Sequence, residues 1–205
     1  MMTYSEGTNP YIKALENYDY RVIDIANNFE LLAILEDNVR AFVHKNGKVL
    51  QIPLKDMDGM IFGYVYRSLR GKFFHVEMKS KTYPNCFGLQ DFSNFQFNQP
   101  ILVCEGVKDV MVLKKVYPYA LAYLTSQPSD MLFDYLTQIT NKIIWFPDND
   151  RVGRMYETKW KEKYKYFSKY YCPYGKDLGS YFDNDKPQIL EWVRTILIKE
   201  GVIYG

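Results

Sequence analysis

Apolar residues fall along this chain in three successive patterns. From Ile12 to about Phe42, Ile23, Ile25, Leu31, Leu32, Ile34 and Leu35 predict one or two helices. The pattern then shortens to strand length. Lys48–Lys55 and Met60–Arg67 read as strands, and Asp56-Met57-Asp58-Gly59 between them reads as a turn, which makes a hairpin. A further short strand is expected from Lys72 to Met78. After Pro100, strands and helices alternate. Ile101–Cys104 is a strand, Val107–Val116 a helix and Tyr119–Leu124 a strand. Ser129–Ile139 is a helix opened by Ser129 as N-cap, and Ile143–Phe146 is a third strand of this series. A long helix over Arg151–Phe167, a strand over Lys169–Cys172 and a terminal helix over Pro187–Lys199 complete the expectation. Such alternation predicts an α/β fold with a mostly parallel sheet flanked by helices, preceded by a small mixed α+β subdomain. The expected division is 1–98 for the amino-terminal subdomain, 99–182 for the α/β domain and 183–205 for a helix packed on it.

Composition narrows the class. The 205 residues are 47% hydrophobic, enough to fill a core without covalent staples. Cys86, Cys104 and Cys172 stand far apart with no CxxC pair, and there are only two histidines, which argues against a zinc ribbon, a disulfide scaffold or an iron–sulfur site. No apolar run reaches the roughly 18–20 residues of a membrane span, and the amino terminus is unlike a signal peptide. The expectation is a reduced, cytoplasmic protein with no membrane partner. Tyrosine and phenylalanine are abundant, at 19 and 13 residues.

The net charge of +2 hides an uneven distribution. Residues 45–81 hold eight basic and three acidic groups, and residues 151–176 hold eight and two. Between them, residues 82–150 hold four basic and seven acidic groups. Two basic blocks therefore bracket an acidic middle, although a charge run by itself is usually a solvated face. In the second block, Tyr156, Trp160, Tyr164 and Phe167 recur at three-to-four spacing with Lys159, Lys161, Lys163 and Lys165 between them. That aromatic stripe is expected to pack on the sheet, with the lysines in solvent.

In a parallel sheet, chemistry collects beyond the carboxyl ends of strands. Glu105 follows Ile101–Cys104 directly, with Gly106 allowing a tight turn, and Asp109 comes one helical turn later. Asp148 and Asp150 follow Ile143–Phe146. Carboxylates gathered at one sheet edge repel one another, and a hard divalent cation such as Mg²⁺ or Mn²⁺ resolves that repulsion.

Ile101-Leu-Val-Cys-Glu105-Gly106-Val-Lys-Asp109 and Phe146-Pro-Asp148-Asn-Asp150-Arg-Val-Gly153 resemble the two signatures of a TOPRIM domain, over about residues 99–182. The fold is shared by bacterial-type primases, type IA and type II topoisomerases, some nucleases and recombination mediators. Its usual small-residue turn after the second strand falls at Leu124-Thr125-Ser126, with Leu124 where a glycine is common. Upstream, Lys48–Arg67 is similar to the amino-terminal subdomain of bacterial and phage primases, with its apolar-Pro-apolar-Lys-Asp start, Gly59, Gly63 and Arg67. Downstream, Cys172-Pro-Tyr-Gly175-Lys176-Asp177 resembles the Gly-x-Asp element that closes the same core. Gly179 stands where that family often has another acid.

The resemblance implies a DNA-dependent RNA primase or its catalytic core, of phage or mobile-element type. It would join ribonucleoside triphosphates on a single-stranded DNA template by metal-assisted nucleotidyl transfer. Glu105, Asp148 and Asp150 would form the central acidic set, with Asp109 and Asp177 supporting as further metal ligands; Glu105 acts as ligand or as general base. Lys55, Arg67, Arg70 and Lys72, with Lys79 and Lys81 behind them, and Lys176 would hold template phosphates or the incoming triphosphate. A zinc-binding module is not expected within the chain, so template selection falls to a separate polypeptide or a replicative helicase. The alternatives are a stand-alone TOPRIM nuclease, which would not need the upstream hairpin, and a non-catalytic replisome adaptor, against which the intact acids argue. A topoisomerase would need room for a strand gate that 205 residues do not provide.

Overall fold

A computed structural model describes residues 40–44, 47–68, 74–125, 128–181 and 187–204. The helices expected between Ile12 and residue 39 lie outside the described residues, as do Arg70 and Lys72. The chain forms two compact units, one of Met1–Pro53 with Gly63–Glu77 and the other of Leu54–Phe62 with Met78–Gly205.

A four-stranded sheet runs in the order β1-β2-β3-β4, with β1 at Arg40–His44, β2 at Gly47–Lys55, β3 at Ile61–Ser68 and β4 at Phe74–Met78. β1 and β2 pair antiparallel from Arg40↔Gln51 to His44↔Gly47. Arg40–Phe42 were expected at the end of a helix. They are strand instead, because the backbone ladder with β2 satisfies their polar groups. The hairpin between β2 and β3 is as expected. Its turn is held by Asp56, whose Oδ1 accepts the N–H groups of Asp58 (3.0 Å) and Met60 (2.9 Å). Asp56 Oδ2 accepts the Tyr83 hydroxyl at 2.8 Å. Within the first unit a polar chain crosses three strands: Gln51 Nε2 donates to the Tyr66 hydroxyl (2.8 Å), which donates to Glu77 (3.0 Å).

The second sheet is parallel, in the order β6-β5-β7-β8. Its strands are β5 at Ile101–Cys104, β6 at Ala120–Ala122, β7 at Lys142–Phe146 and β8 at Tyr166–Lys169. All four residues of β5 are buried, as are Ile143–Phe146 of β7. A strand covered on both faces reads as a continuous apolar run, which is how these two appear in the sequence. The crossovers are α1 (Val107–Lys114), α2 (Asp130–Ile139), and the pair α3 (Arg151–Met155) and α4 (Glu157–Lys163). α2 begins as expected, with the Ser129 hydroxyl accepting the Leu132 N–H at 3.2 Å. Phe87 forms an antiparallel bridge to Ala122 at the β6 edge. The neighbouring Gly88 is obligatory: its φ is +113°, and a Cβ would lie 2.4 Å from the Ala120 carbonyl oxygen.

The long helix expected over Arg151–Phe167 is broken at Tyr156 and ends at Lys163, where Tyr164 turns extended (φ −123°, ψ 129°). The following strand is Tyr166–Lys169 rather than Lys169–Cys172. Pairing with β7 from Lys142↔Tyr166 to Trp145↔Lys169 requires the chain to leave the helix early. Phe167 reaches the same aromatic cluster from a strand that it would have reached from a helix, so its spacing could not tell the two apart. The stripe itself packs on the sheet. Trp160 is fully buried, stacked on Trp145, Tyr164 and Phe167 and tilted against Phe133.

The terminal helix α5 (Gln188–Lys199) buries Ile189, Val193, Ile196 and Leu197, an i, i+4, i+7, i+8 stripe. Glu200, just after it, ties the helix to the sheet: its carbonyl accepts Lys142 Nζ (2.8 Å) and its carboxylate the Tyr170 hydroxyl (2.6 Å). Trp192 meets Phe146 edge to face. No described helix is long and apolar enough to cross a membrane.

Candidate active site

Three loops meet at the carboxyl ends of the parallel strands. The first follows β5. Its Glu105 carbonyl accepts the Leu124 N–H (3.0 Å), just as the Cys104 carbonyl accepts Tyr123 N–H (3.1 Å), so the loop continues the β5–β6 ladder. Gly106 caps α1, and Asp109 in its first turn reaches back so that Oδ2 accepts the Gly106 N–H at 3.0 Å. The second loop, Asp148-Asn149-Asp150, follows β7, which is hydrogen-bonded to β5 with Cys104 opposite Phe146. The third loop, Cys172–Ser180, follows β8 and is stitched to the others. Asn149 N–H donates to the Lys176 carbonyl (2.9 Å), Lys176 Nζ pairs with Asp148 Oδ2 (2.8 Å), and Gly179 N–H donates to Asp109 Oδ1 (2.6 Å). Asp177 Oδ1 accepts both the N–H (2.9 Å) and the hydroxyl (3.1 Å) of Ser180.

The electrostatics follow from crowding acids in a half-dry place. Burial, then Asp148 and Asp150, push Glu105 up to about 7, with the Tyr123 hydroxyl hydrogen-bonded to it and Lys176 nearby acting in the opposite direction. Burial, then Asp177 and Asp148, raise Asp109 to about 7 against the pull of its two backbone donors. Asp148 is raised by burial despite its bond with Lys176, and Lys176 is raised by that same bond.

Glu105, Asp109, Asp148, Asp150, Lys176 and Asp177 therefore come together around adjacent strand ends. Lys55 lies at the end of β2 in the same unit, whereas Arg67, half-buried on β3, belongs to the first unit. Four lysines of the second basic block are paired with acids. Lys159 and Lys163 pair across to Asp130 and Asp134 of α2, and Lys161 and Lys169 share Glu157. Sequence reasoning missed Tyr123 at the carboxyl end of β6, because a tyrosine in a buried apolar run reads as core. It also missed the Gly179 N–H, a backbone donor with no side-chain signature. The two departures from the TOPRIM pattern acquire physical reasons. Leu124 takes the left-handed conformation that a glycine would supply, with φ +54°, and is the one non-glycine residue with positive φ among the described residues. A Cβ at Gly179 would lie 3.0 Å from Lys108 Cβ and 3.3 Å from Asp109 Oδ1.

Among the described residues, no three His, Cys, Asp or Glu side chains are arranged as a ready-made metal cage. The donor chemistry nonetheless fits a hard divalent cation. Glu105, Asp148 and Asp150 offer only carboxylate oxygen, and their mutual repulsion raises Glu105 where one lysine offsets it only in part.

A parallel sheet of order β6-β5-β7-β8 with these acids just past its two central strands, in a chain that also carries the four-stranded β1–β4 sheet, has the α/β fold of solved primase catalytic cores. Solved structures bear this out. The E. coli primase catalytic core matches with TM-score 0.56 at 19% identity, over 86% of this chain and 62% of that one. The primase fragment of the bacteriophage T7 primase-helicase protein matches with TM-score 0.60 at 15% identity, over 80% and 68%. A DnaG primase catalytic domain bound to ssDNA matches with TM-score 0.55 at 17% identity, over 89% and 64%. The chain thus spans less than two thirds of the length of several primase cores it resembles. No protein-family model and no curated protein matches the sequence.

Proposed function

We propose that this chain is the nucleotidyl-transfer core of a DNA-dependent RNA primase, joining ribonucleoside triphosphates on a single-stranded DNA template. The observation that carries the reading is the convergence of Glu105, Asp148 and Asp150 with Lys176 at the ends of β5 and β7, on a fold shared with primase cores. The proposed cation is Mg²⁺ or Mn²⁺, held by Glu105, Asp148 and Asp150. When bound, it would supply charge stabilisation on the reacting phosphate.

The chain's own residues supply the rest. Glu105, raised toward neutrality, is suited to hold or release a proton beside the attacking hydroxyl. Lys176, two-thirds exposed, can exchange Asp148 for triphosphate oxygens. Lys55 and Arg67 are proposed to hold template phosphates, as are Arg70 and Lys72. A replicative helicase or a separate zinc-binding protein is the proposed partner for template selection.

The test is ribonucleotide incorporation on single-stranded DNA with Mg²⁺ or Mn²⁺, with and without a cognate helicase. Template-dependent oligoribonucleotides from wild type and none from Asp148→Ala are expected. Metal-dependent cleavage of DNA or RNA with no incorporation would assign the site to a nuclease instead.

A further inference from the structure

Among the acids at the strand ends, Asp109 is engaged differently from the rest. Its side chain is buried, and each carboxylate oxygen accepts a backbone N–H: Oδ2 from Gly106 at 3.0 Å and Oδ1 from Gly179 at 2.6 Å. The first donor lies at the start of α1. The second lies seventy residues later in the loop that carries Lys176. Turning Oδ1 toward a cation would take the partner from the buried Gly179 N–H, and turning Oδ2 would take it from the half-buried Gly106 N–H, losses that proteins avoid.

We infer that Asp109 is a positioning residue that fastens the Cys172–Ser180 loop, and with it Lys176, beside Glu105 and Asp148, and that it is not a ligand of the cation. This inference rests on the nucleotidyl-transfer reading and deepens it by dividing the acids into two groups. Asp109 and Asp177 are committed to the loop, Asp177 through the N–H and hydroxyl of Ser180. Asp148 is held by a single exposed lysine that can leave.

The loop's geometry gives the same answer from the other end. A Cβ at Gly179 would press on Lys108 Cβ at 3.0 Å and on Asp109 Oδ1 at 3.3 Å, so a side chain there makes the loop or its anchor give way by a few tenths of an ångström. Gly175 is as constrained: a Cβ would lie 2.5 Å from Ser180 Oγ. The loop is close-packed around the tie between its Gly179 N–H and the Asp109 carboxylate. Lys176 inherits its place from that tie and from the Asn149–Lys176 backbone bond.

The experiment compares the full chain with Asp109→Asn and Gly179→Ala, the second loosening the same tie without removing a carboxylate. Three quantities are measured without turnover: Mn²⁺ affinity from the spectroscopic signal of free Mn²⁺, ribonucleoside triphosphate affinity, and hydrogen exchange at the Gly179 amide. In both variants Mn²⁺ affinity should stay within about threefold of wild type, because the cation's carboxylates are untouched. Triphosphate affinity should fall about tenfold as the charge-assisted contact from Lys176 is lost. Gly179 exchange should accelerate by at least about tenfold. Glu105→Gln and Asp148→Asn should instead lower Mn²⁺ affinity about tenfold or more and leave Gly179 exchange unchanged. Loss of Mn²⁺ binding in Asp109→Asn matching that of Glu105→Gln would make Asp109 a ligand and overturn the inference. Unchanged triphosphate affinity and Gly179 exchange in both variants would overturn it equally. If wild type takes up no Mn²⁺, the cation reading fails, and Gly179 exchange alone decides whether Asp109 holds the loop.

Discussion

Lys176 Nζ lies 2.8 Å from Asp148 Oδ2, a bond between a lysine that is 66% exposed and a carboxylate that is 9% exposed. The asymmetry has a physical consequence. The lysine gives up little on leaving, because water can solvate it. The carboxylate loses its counter-charge and keeps its burial. Lys176→Met should therefore cost at most about 1 kcal/mol in stability, as for a partly exposed pair. It should also raise the KM for ribonucleoside triphosphate about tenfold, with a smaller effect on kcat. Denaturant titration and steady-state incorporation measure the two effects separately.

Asp148→Asn should behave in the opposite way. It relieves the repulsion that raises Glu105 but removes a proposed cation ligand, so incorporation should fall by about a hundredfold or more while the fold persists. Retained synthesis at near-normal rate would remove Asp148 from the site.

The raised acids set a pH dependence. Glu105 and Asp109, each pushed up to about 7, bind protons more tightly in the folded chain than in the unfolded one. Stability should then be greatest below their ordinary values near 4–4.5 and fall as pH rises toward about 7, levelling off above it. Saturating Mg²⁺ should offset that decline, because it binds the ionised folded state. Thermal midpoints from pH 4 to 8, with and without Mg²⁺, give the profile; a midpoint that climbs over this range without Mg²⁺ would contradict the raised values.

Leu124→Gly pits two effects against each other. Glycine would relieve the left-handed backbone at φ +54°, worth about 1–2 kcal/mol. It would also delete a side chain that is 2% exposed, a loss of about 2–5 kcal/mol. Burial wins, and a net destabilisation of about 1–3 kcal/mol is expected in urea unfolding. A variant more stable than wild type would show that the strain exceeds the packing.

Trp160 is wedged among Trp145, Phe133, Tyr164 and Phe167 with no exposed surface. Trp160→Ala should cost about 3–5 kcal/mol. Lys159→Ala with Lys163→Ala, which opens two exposed pairs to α2, should leave single-stranded DNA binding within about twofold, because these lysines are already matched by acids. A large loss of DNA affinity would return the second basic block to the binding surface.

What could be read before folding was whatever depends on local pattern. Ile101–Cys104 and Ile143–Phe146 announce buried parallel strands because both faces must be apolar. Residues directly after them stand at the sheet's carboxyl edge whatever the rest of the chain does, which is why Glu105, Asp148 and Asp150 could be named from the sequence. The Asp56–Gly59 turn and the Ser129 cap are likewise decided within a few residues. The tertiary structure decided what depends on partners distant in sequence. β8 starts at Tyr166 because β7 offers hydrogen bonds there, although the helical spacing of Trp160, Tyr164 and Phe167 continues past it. Lys159, Lys161, Lys163 and Lys169 are paired with acids on α2 and with Glu157, pairings that require the helices and β8 to be in place. Asp109 and Gly179 meet across seventy residues at 2.6 Å, and one of the two groups is a backbone N–H that every residue but proline carries. Composition and spacing can place an acid at a strand end, but only the folded chain determines which atoms its oxygens meet.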